Sequence, residues 1–490
     1  MDALPNRNRK SSDPYVAGLG RADFAILMAP LAFASALLAL FILSEGTVSP
    51  SLTADLLVAA VCLLTVIVLT EASVLAGLGV VALAGTVQAA AAIWFPVPVT
   101  LYLDNLPFLL TMVYAVTIAV KWRLVAELRI LTIVLILVGI ALFRAGTTSA
   151  ALYQARQVLF PFLIAFAAFV AIRLPVKNPA YKPRIDILIK ITVGLAWVTC
   201  VYMLAEYIWG PPLNPLAAYK LNPFTEHFAI IDGYLGNYLF YPGNTGHAVI
   251  RLGGLLMNPP VAGIFMGGSA VIAFWQYWHR RHVGMLILCV ASILAMLGTY
   301  ARGGTVVAVV GIGFPLLIRY TNRTFAVIVI AIVAIYLGAK IGQEGSSLRH
   351  YDGLAAGLSR AFHHPFGQGL DTIGDVSTRA AGSEGEGESL AAIPFAAIGL
   401  PAVALYLAAL WGSFRGASIQ NWPAALGLGI LICALFTESA SSLSGTIIVW
   451  SFCGIGLALG TKREPFVAGL SRHRPAYSSD RPVGAPSQKA

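Results

Sequence analysis

Charge is what this sequence has least of. Only 11% of its 490 residues are Asp, Glu, Lys or Arg, against 58% hydrophobic residues, and the mean hydropathy is +0.79. A soluble domain carries about 25% charged residues, so this chain has far more apolar surface than a water-facing fold can bury, and lipid must solvate it. Cysteine is also scarce. The five, Cys62, Cys200, Cys289, Cys433 and Cys453, all fall inside apolar runs, which argues against a disulfide framework or a zinc site and reads as small apolar packing. Period-2 alternation is missing from runs of about 15 to 24 residues, which excludes barrel strands and leaves helices. No glycine-rich phosphate loop follows a strand, and no His, Cys and carboxylate set stands at ligand spacing. The sequence therefore points to no metal, no cofactor and no nucleotide-binding fold. No internal repeat is visible, which disfavours the repeat-built transporters.

The apolar runs themselves predict an all-α, polytopic integral membrane protein with about 14 transmembrane helices. They lie near 24–43, 54–71, 73–95, 106–120, 130–145, 157–173, 187–209, 257–278, 283–301, 304–318, 324–343, 388–411, 423–437 and 443–460. The spans at 54–71 and 73–95 share a hairpin around Glu71. With Met1 in the cytoplasm, 23 of the 32 Lys and Arg residues fall on the cytoplasmic side and 9 outside. The positive-inside rule then places both termini inside. The net charge of +10 reads as topology and implies no nucleic acid. Residues 1–22 read as a cytoplasmic segment without a signal-peptide pattern, 23–463 as the transmembrane domain, and 464–490 as a disordered cytoplasmic tail. Two external loops, about 210–250 and 344–387, are too long for mere connections.

The nine outside cations are more informative than those inside, because insertion alone would not put them there. Arg156 opens a span, Arg251 opens another, and Arg302 lies in a tight turn, Tyr300-Ala301-Arg302-Gly303-Gly304, whose glycines permit close backbone approach. A guanidinium at that depth offers a planar, permanent fork to a phosphate; the plainer alternatives are a lipid headgroup contact or a helix cap. In the second loop, Tyr351, Leu354, Leu358 and Phe362 recur at helical spacing and suggest an amphipathic surface helix, stopped by His363-His364-Pro365-Phe366-Gly367-Gln368-Gly369. Glu384, Glu386 and Glu388 alternate with glycines further on. Glu388, nearest the membrane, suits proton transfer through partial desolvation, and suits equally a helix start that favours negative charge. The first loop is dense in aromatics, among them Tyr219, Phe228 and Tyr238. They read either as platforms for sugar faces or as interfacial anchors.

The ordered segments together resemble the O-antigen polymerase and O-antigen ligase superfamily, including related exopolysaccharide polymerases. The carrying residues are Arg251-Leu-Gly-Gly-Leu-Leu-Met-Asn258-Pro259, Thr299-Tyr-Ala-Arg302-Gly303-Gly304, Leu348-Arg349 leading into His364-Pro365-Phe-Gly367-Gln-Gly369, and Glu388-Ser389 with Gly399 beyond. They span about residues 250 to 405. The resemblance implies a class C glycosyltransferase-like architecture in the bacterial inner membrane, working on the periplasmic or outer face. Its donor would be an undecaprenyl-pyrophosphate-linked glycan and its acceptor a glycan or lipid hydroxyl, with a chain-length regulator as a further partner. Arg251 and Arg302 would hold the donor pyrophosphate, joined by Arg156 and Arg349. Glu388 or His364 would be the base. Ligases often have His-Asn where this chain has Glu388-Ser389, which favours a polymerase over ligase-type transfer. The rival from another class is a lipid-linked oligosaccharide flippase, which should carry charges deep in its spans, where this sequence has few.

Overall fold

A computed structural model of the protein describes residues 50–94, 99, 102–145, 148–209, 230–231, 234–235, 238–240, 249–329, 345–370 and 389–462. The expected span at 24–43, the segments 1–22 and 464–490, residues 330–343 of the span at 324–343, most of the first long loop and residues 371–387 of the second lie outside these residues, as do Glu384, Glu386 and Glu388.

Among the described residues, helices stand where apolar runs were read. They are α1 (Pro50–Glu71), α2 (Val74–Trp94), α3 (Asn105–Lys121), α4 (Val125–Phe143), α5 (Thr148–Arg173), α6 (Ile185–Trp209), α7 (Pro259–Arg280), α8 (Val283–Gly298), α9 (Arg302–Tyr320), α10 (Gly345–His363), α11 (Ala392–Ile398), α12 (Leu400–Gly416), α13 (Trp422–Ala434) and α14 (Leu443–Lys462). An apolar solvent offers the backbone no partners, so each run closes its hydrogen bonds internally. Hydroxyls inside the runs follow the same rule. Thr65, Thr111 and Thr192 donate to the carbonyls of Val61, Pro107 and Leu188, one turn back, at 2.7, 2.8 and 2.8 Å.

Seven of these helices, α1, α4, α5, α6, α7, α9 and α14, are long and apolar enough to cross a membrane. α3, α8, α13 and the Val74–Gln88 part of α2 are shorter apolar helices. α7 and α14 are the most enclosed, with 83% of their most apolar stretch buried, whereas α4 has 28% and exposes Ile130, Ile133, Ile136, Ile140 and Phe143. An outward row of large apolar side chains is what a lipid-facing helix presents.

Small residues explain why α7 is central. A Cβ on Gly267 would collide with the Gly304 carbonyl, and one on Gly304 would collide with the Gly263 carbonyl. The Gly263-x-x-x-Gly267 face of α7 thus meets the first turn of α9 main chain to main chain, the close approach that small-residue faces permit in lipid.

The structure corrects three expectations. The span read at 388–411 is two helices, α11 and α12, broken at Gly399 with φ +83°. That conformation suits glycine, Pro401 sits at the start of α12, and a Cβ on Gly399 would strike the Pro365 carbonyl. The second correction concerns the surface helix. α10 runs where expected, with Leu354 and Leu358 half-buried against the core, but Tyr351 and Phe362 are exposed while Gly353, Gly357 and Ala361 are buried. A Cβ on Gly357 would come within 2.7 Å of the Ala392 Cα, so small residues on the buried face let α10 lie close on α11. The third is small. The first external loop contains two antiparallel pairings, β1 (Ile230–Ile231) with β2 (Tyr234–Leu235) and β3 (Leu239–Phe240) with β4 (Val249–Ile250). The sequence reading had only a loop there.

Candidate functional site at one end of the helix bundle

Strand β4 runs directly into Arg251, whose backbone N–H donates to the Tyr238 carbonyl at 2.8 Å. The Arg251 Nε donates to the Thr299 carbonyl at 2.9 Å, and Nη2 reaches the Tyr300 carbonyl at 3.5 Å. Arg251 therefore caps the end of α8 and holds the turn into α9. That turn is tight. Thr299 is fully buried, its hydroxyl donates to the Met296 carbonyl and accepts from Ala301 N–H, and Tyr300 has φ +50°, an uncommon conformation for a residue of that size. Arg302 follows as the first residue of α9, half-buried, and is fixed in place by the backbone contact of Gly304 with α7. The glycines after Arg302 do what the sequence suggested: they bring its backbone hard against neighbours.

Two helices away, Arg156 lies on α5, with its guanidinium 5.1 Å from the Phe160 ring centroid. Phe160 in turn meets Phe108 of α3, centroids 4.6 Å apart. One turn before Phe108 is Asp104, which is 2% exposed and receives a hydrogen bond from the Asn105 side chain at 2.9 Å. Burial pushes the Asp104 carboxyl up to about 6, against the opposing attraction of Arg156. A carboxyl poised near neutrality beside a cation is a common trait of functional sites, and of structural ion pairs as well.

The connection between α13 and α14 lies by the residues that follow these two arginines. Gln157, the residue after Arg156, donates to Glu438 Oε2 at 3.5 Å. A Cβ on Gly303, the residue after Arg302, would come within 3.4 Å of Thr437 Cγ2. Glu438 opens a 3-10 turn, Glu438–Ser441, that is closely braced. Thr437 Oγ1 accepts from Ser439 N–H at 3.2 Å, Ser441 Oγ donates to the Glu438 carbonyl at 2.7 Å, and Trp450 Nε1 donates to the Ala440 carbonyl at 2.7 Å. The sequence reading passed over Glu438 as part of a short connection.

Nor did that reading single out Arg144 or Glu206. Arg144 Nη1 donates to the carbonyls of Phe366 and Gly367 at 2.7 and 3.3 Å, which ties the end of α4 to the turn after α10. Its signal in the sequence was available, since it is one of the nine basic residues outside. Glu206, in the last turn of α6, is 5% exposed, and its carboxylate accepts from Gly254 N–H at 2.8 Å. A lone acid in an apolar run is expensive and marks a functional or positioning group. Burial pushes the Tyr238 hydroxyl well up, with the Glu206 charge and then Tyr202 adding to it.

His364 is exposed. Its carbonyl accepts from Gly367 N–H at 2.8 Å. His363 Nδ1 is 2.8 Å from the Ser359 carbonyl of its own helix. Past this turn, Gln368 and Gly369 N–H donate to the carbonyls of Ala396 and Ala397, and Leu400 N–H donates to the Pro365 carbonyl, which seats the segment on the α11–α12 break. Arg349 belongs to α10 by its backbone, and its side chain lies outside the described residues. Glu388 lies outside them too, but the next residue, Ser389, is fully buried, and Ala391 N–H donates to the Ala434 carbonyl at the end of α13. The helices that carry Arg156 and Arg302 thus both approach one polar turn, through Gln157 and Gly303, and Arg251 holds the turn that leads into Arg302.

The fold and its apolar helices define a helical membrane-embedded protein. Comparison with protein-family models, with curated proteins and with solved structures finds no match to this chain.

Proposed function

We propose that this protein is a membrane glycosyltransferase that moves an oligosaccharide from an undecaprenyl-pyrophosphate carrier to the hydroxyl of an acceptor glycan, and that it acts as an O-antigen or exopolysaccharide polymerase. The carrying observation is that the residues after Arg156 and Arg302, on helices far apart in sequence, both lie near the connection at Thr437 and Glu438: Gln157 bonds Glu438, and a Cβ on Gly303 would come within 3.4 Å of Thr437 Cγ2. Two permanently charged forks on helices that both approach one braced turn suit a ligand bearing two phosphates. The reading comprises about fourteen spans of a class C glycosyltransferase-like architecture in the bacterial inner membrane, with the arginines on the periplasmic face.

The chemistry needs little else. Attack by the acceptor oxygen on the anomeric carbon releases the glycan from the pyrophosphate, which gains charge as the bond breaks, so cations already in position stabilise the transition state more than the ground state. The acceptor hydroxyl must also lose a proton to a base. His364 and Glu388 are the sequence-derived candidates for that base, and Arg349 is a further phosphate contact. Neither metal nor cofactor enters this scheme.

Cells lacking the protein test the proposal through their surface-carbohydrate ladder. Long chains should disappear while single repeats stay on their acceptor. Loss of all glycan from the acceptor would make the protein a ligase instead, and an unchanged ladder would overturn the reading.

A further inference from the structure

We propose that the ends of α7 and α9 far from Arg302 bind the phosphate headgroup of an anionic phospholipid, held by Arg281 and Arg319 over the Trp278 ring. This site is independent of the glycosyl-transfer reading and lies at the other end of the same two helices.

Residues 251–329 contain no Asp or Glu, so α7, α8 and α9 bring only cations to this end, among them Arg280, Arg281, Arg319 and Arg323. Helices α13 and α14, which pack on α7 and α9, carry no acid either. Helix α6 brings Asp186, which is already paired with Arg184 at 3.3 Å and Lys190 at 3.8 Å. The packing of α7 on α9 then sets two of the cations beside one ring. From the Gly267–Gly304 contact the helices run on in the same direction: a Cβ on Gly311 would come within 2.6 Å of Val271, and Trp275 Nε1 donates to the Gly311 carbonyl at 3.0 Å. Continuing that register brings Arg319 of α9 over Trp278 of α7, with its guanidinium carbon 5.6 Å from the ring centroid. Arg281 reaches the same ring at 5.5 Å, from a left-handed backbone with φ +57° whose N–H donates to the Tyr277 carbonyl at 2.7 Å. The ring is itself seated, packed against the core, with the Phe274 and Trp275 rings 5.9 and 6.1 Å away.

An indole is the best aromatic partner for a cation, and it fixes a guanidinium without neutralising it. Among the described residues neither Arg281 nor Arg319 makes a side-chain hydrogen bond or an ion pair, and both are exposed. Their N–H donors are therefore unspent, and a planar fork of such donors matches the oxygens of a phosphodiester. Insertion explains cations at this end, but it does not call for two of them, from two helices, over one ring. The neighbouring surface selects a lipid over a free anion. Val283 and Ile287 of α8, just past Arg281, are 64% and 54% exposed, so acyl chains have apolar side chains to lie against directly beside the charges. Basic pockets between membrane helices hold anionic headgroups in this way, and tryptophan settles at headgroup depth.

The experiment uses the full-length protein in neutral detergent, titrated with phosphatidylglycerol, with phosphatidylcholine or with inorganic phosphate, and reads bound lipid by native mass spectrometry together with the thermal midpoint. Phosphatidylglycerol should be retained and should raise the midpoint; phosphatidylcholine, whose choline cation meets the arginines, and inorganic phosphate should do neither. Arg281→Gln and Arg319→Gln should each weaken phosphatidylglycerol binding by roughly five-fold. Arg129→Gln removes the same charge from an exposed position in the first turns of α4 and should leave binding unchanged. Arg319→Lys keeps the charge and loses the fork, so it should bind more weakly than the wild type; it carries the test if a Gln variant does not fold. Equal losses from Arg129→Gln and Arg281→Gln, or wild-type binding by Arg319→Lys, would reduce the effect to diffuse surface charge and overturn the site. A midpoint raised as much by inorganic phosphate would overturn the lipid as its occupant, and equal retention of the two lipids would overturn recognition of the anionic headgroup.

Discussion

A carboxyl buried beside an arginine has two opposed influences on it, and at Asp104 burial wins. Its folded-state value of about 6 stands above the ordinary 3.8. Its contribution to stability is therefore complete below about pH 4 and is lost as pH rises through about 6. The difference corresponds to an energy on the order of 3 kcal/mol. Asp104→Asn keeps the shape and cannot ionise, so the variant and the wild type should have similar thermal midpoints at pH 4, and the variant should be the more stable at pH 8. A gap that does not change with pH would show that Asp104 is not the titrating group. Single residues were unevenly legible in the sequence. Arg302 stood out because a charge between two apolar runs and next to paired glycines is conspicuous. Glu438 did not, because an acid in a short connection looks ordinary; its significance lies in Gln157, 281 positions away, and no local pattern encodes that distance. Arg251 was visible as a charge at a helix start, but its work as a cap on α8 depends on a hairpin that the loop's composition did not reveal.

Elements show the same division. Hydropathy located the helices because lipid enforces internal hydrogen bonding wherever a run is apolar, and the α8–α9 turn was readable from its charge and glycines. The break at Gly399 was not read, because hydropathy is blind to backbone angle; the signal lay in Gly399-Leu400-Pro401, a glycine followed by a helix-starting proline. Packing between elements was legible only as small-residue spacing. The contact of Gly267 with Gly304 makes a sharp prediction here. Gly267→Ala should lower the thermal midpoint and weaken donor binding together, since the added methyl meets main chain that cannot move aside, and such overpacking costs about 1–3 kcal/mol or more. Gly194→Ala is the control: nothing lies within 4 Å of a Cβ there, and in the interior of α6 alanine should stabilise by about 0.5–1 kcal/mol. Equal effects from the two would mean that the α7–α9 contact is not special.

At the scale of the whole molecule, the balance of Lys and Arg is the evidence for orientation, and it can be checked at described positions. Phe366 is 76% exposed, beside the turn that Arg144 holds, and Tyr320 is 70% exposed at the far end of α9 from Arg302. The 19 residues of α9 separate those ends by about 28 Å at the usual helical rise. In a background without the native cysteines, Phe366→Cys should react with an impermeant maleimide in cells whose outer membrane alone has been opened, and Tyr320→Cys only after the inner membrane is lysed. The reverse pattern would put the arginines on the cytoplasmic face. The main-chain contact between α7 and α9 has a further consequence, for how such a protein can change over generations. Because no side chain stands between Gly263, Gly267 and Gly304, no substitution can lengthen or shorten that separation by a small step, and the seat of Arg302 is closed to gradual adjustment. Variation that alters which glycan is accepted must accumulate elsewhere, in the long loops, and a mutational library aimed at new acceptors should leave these three glycines untouched.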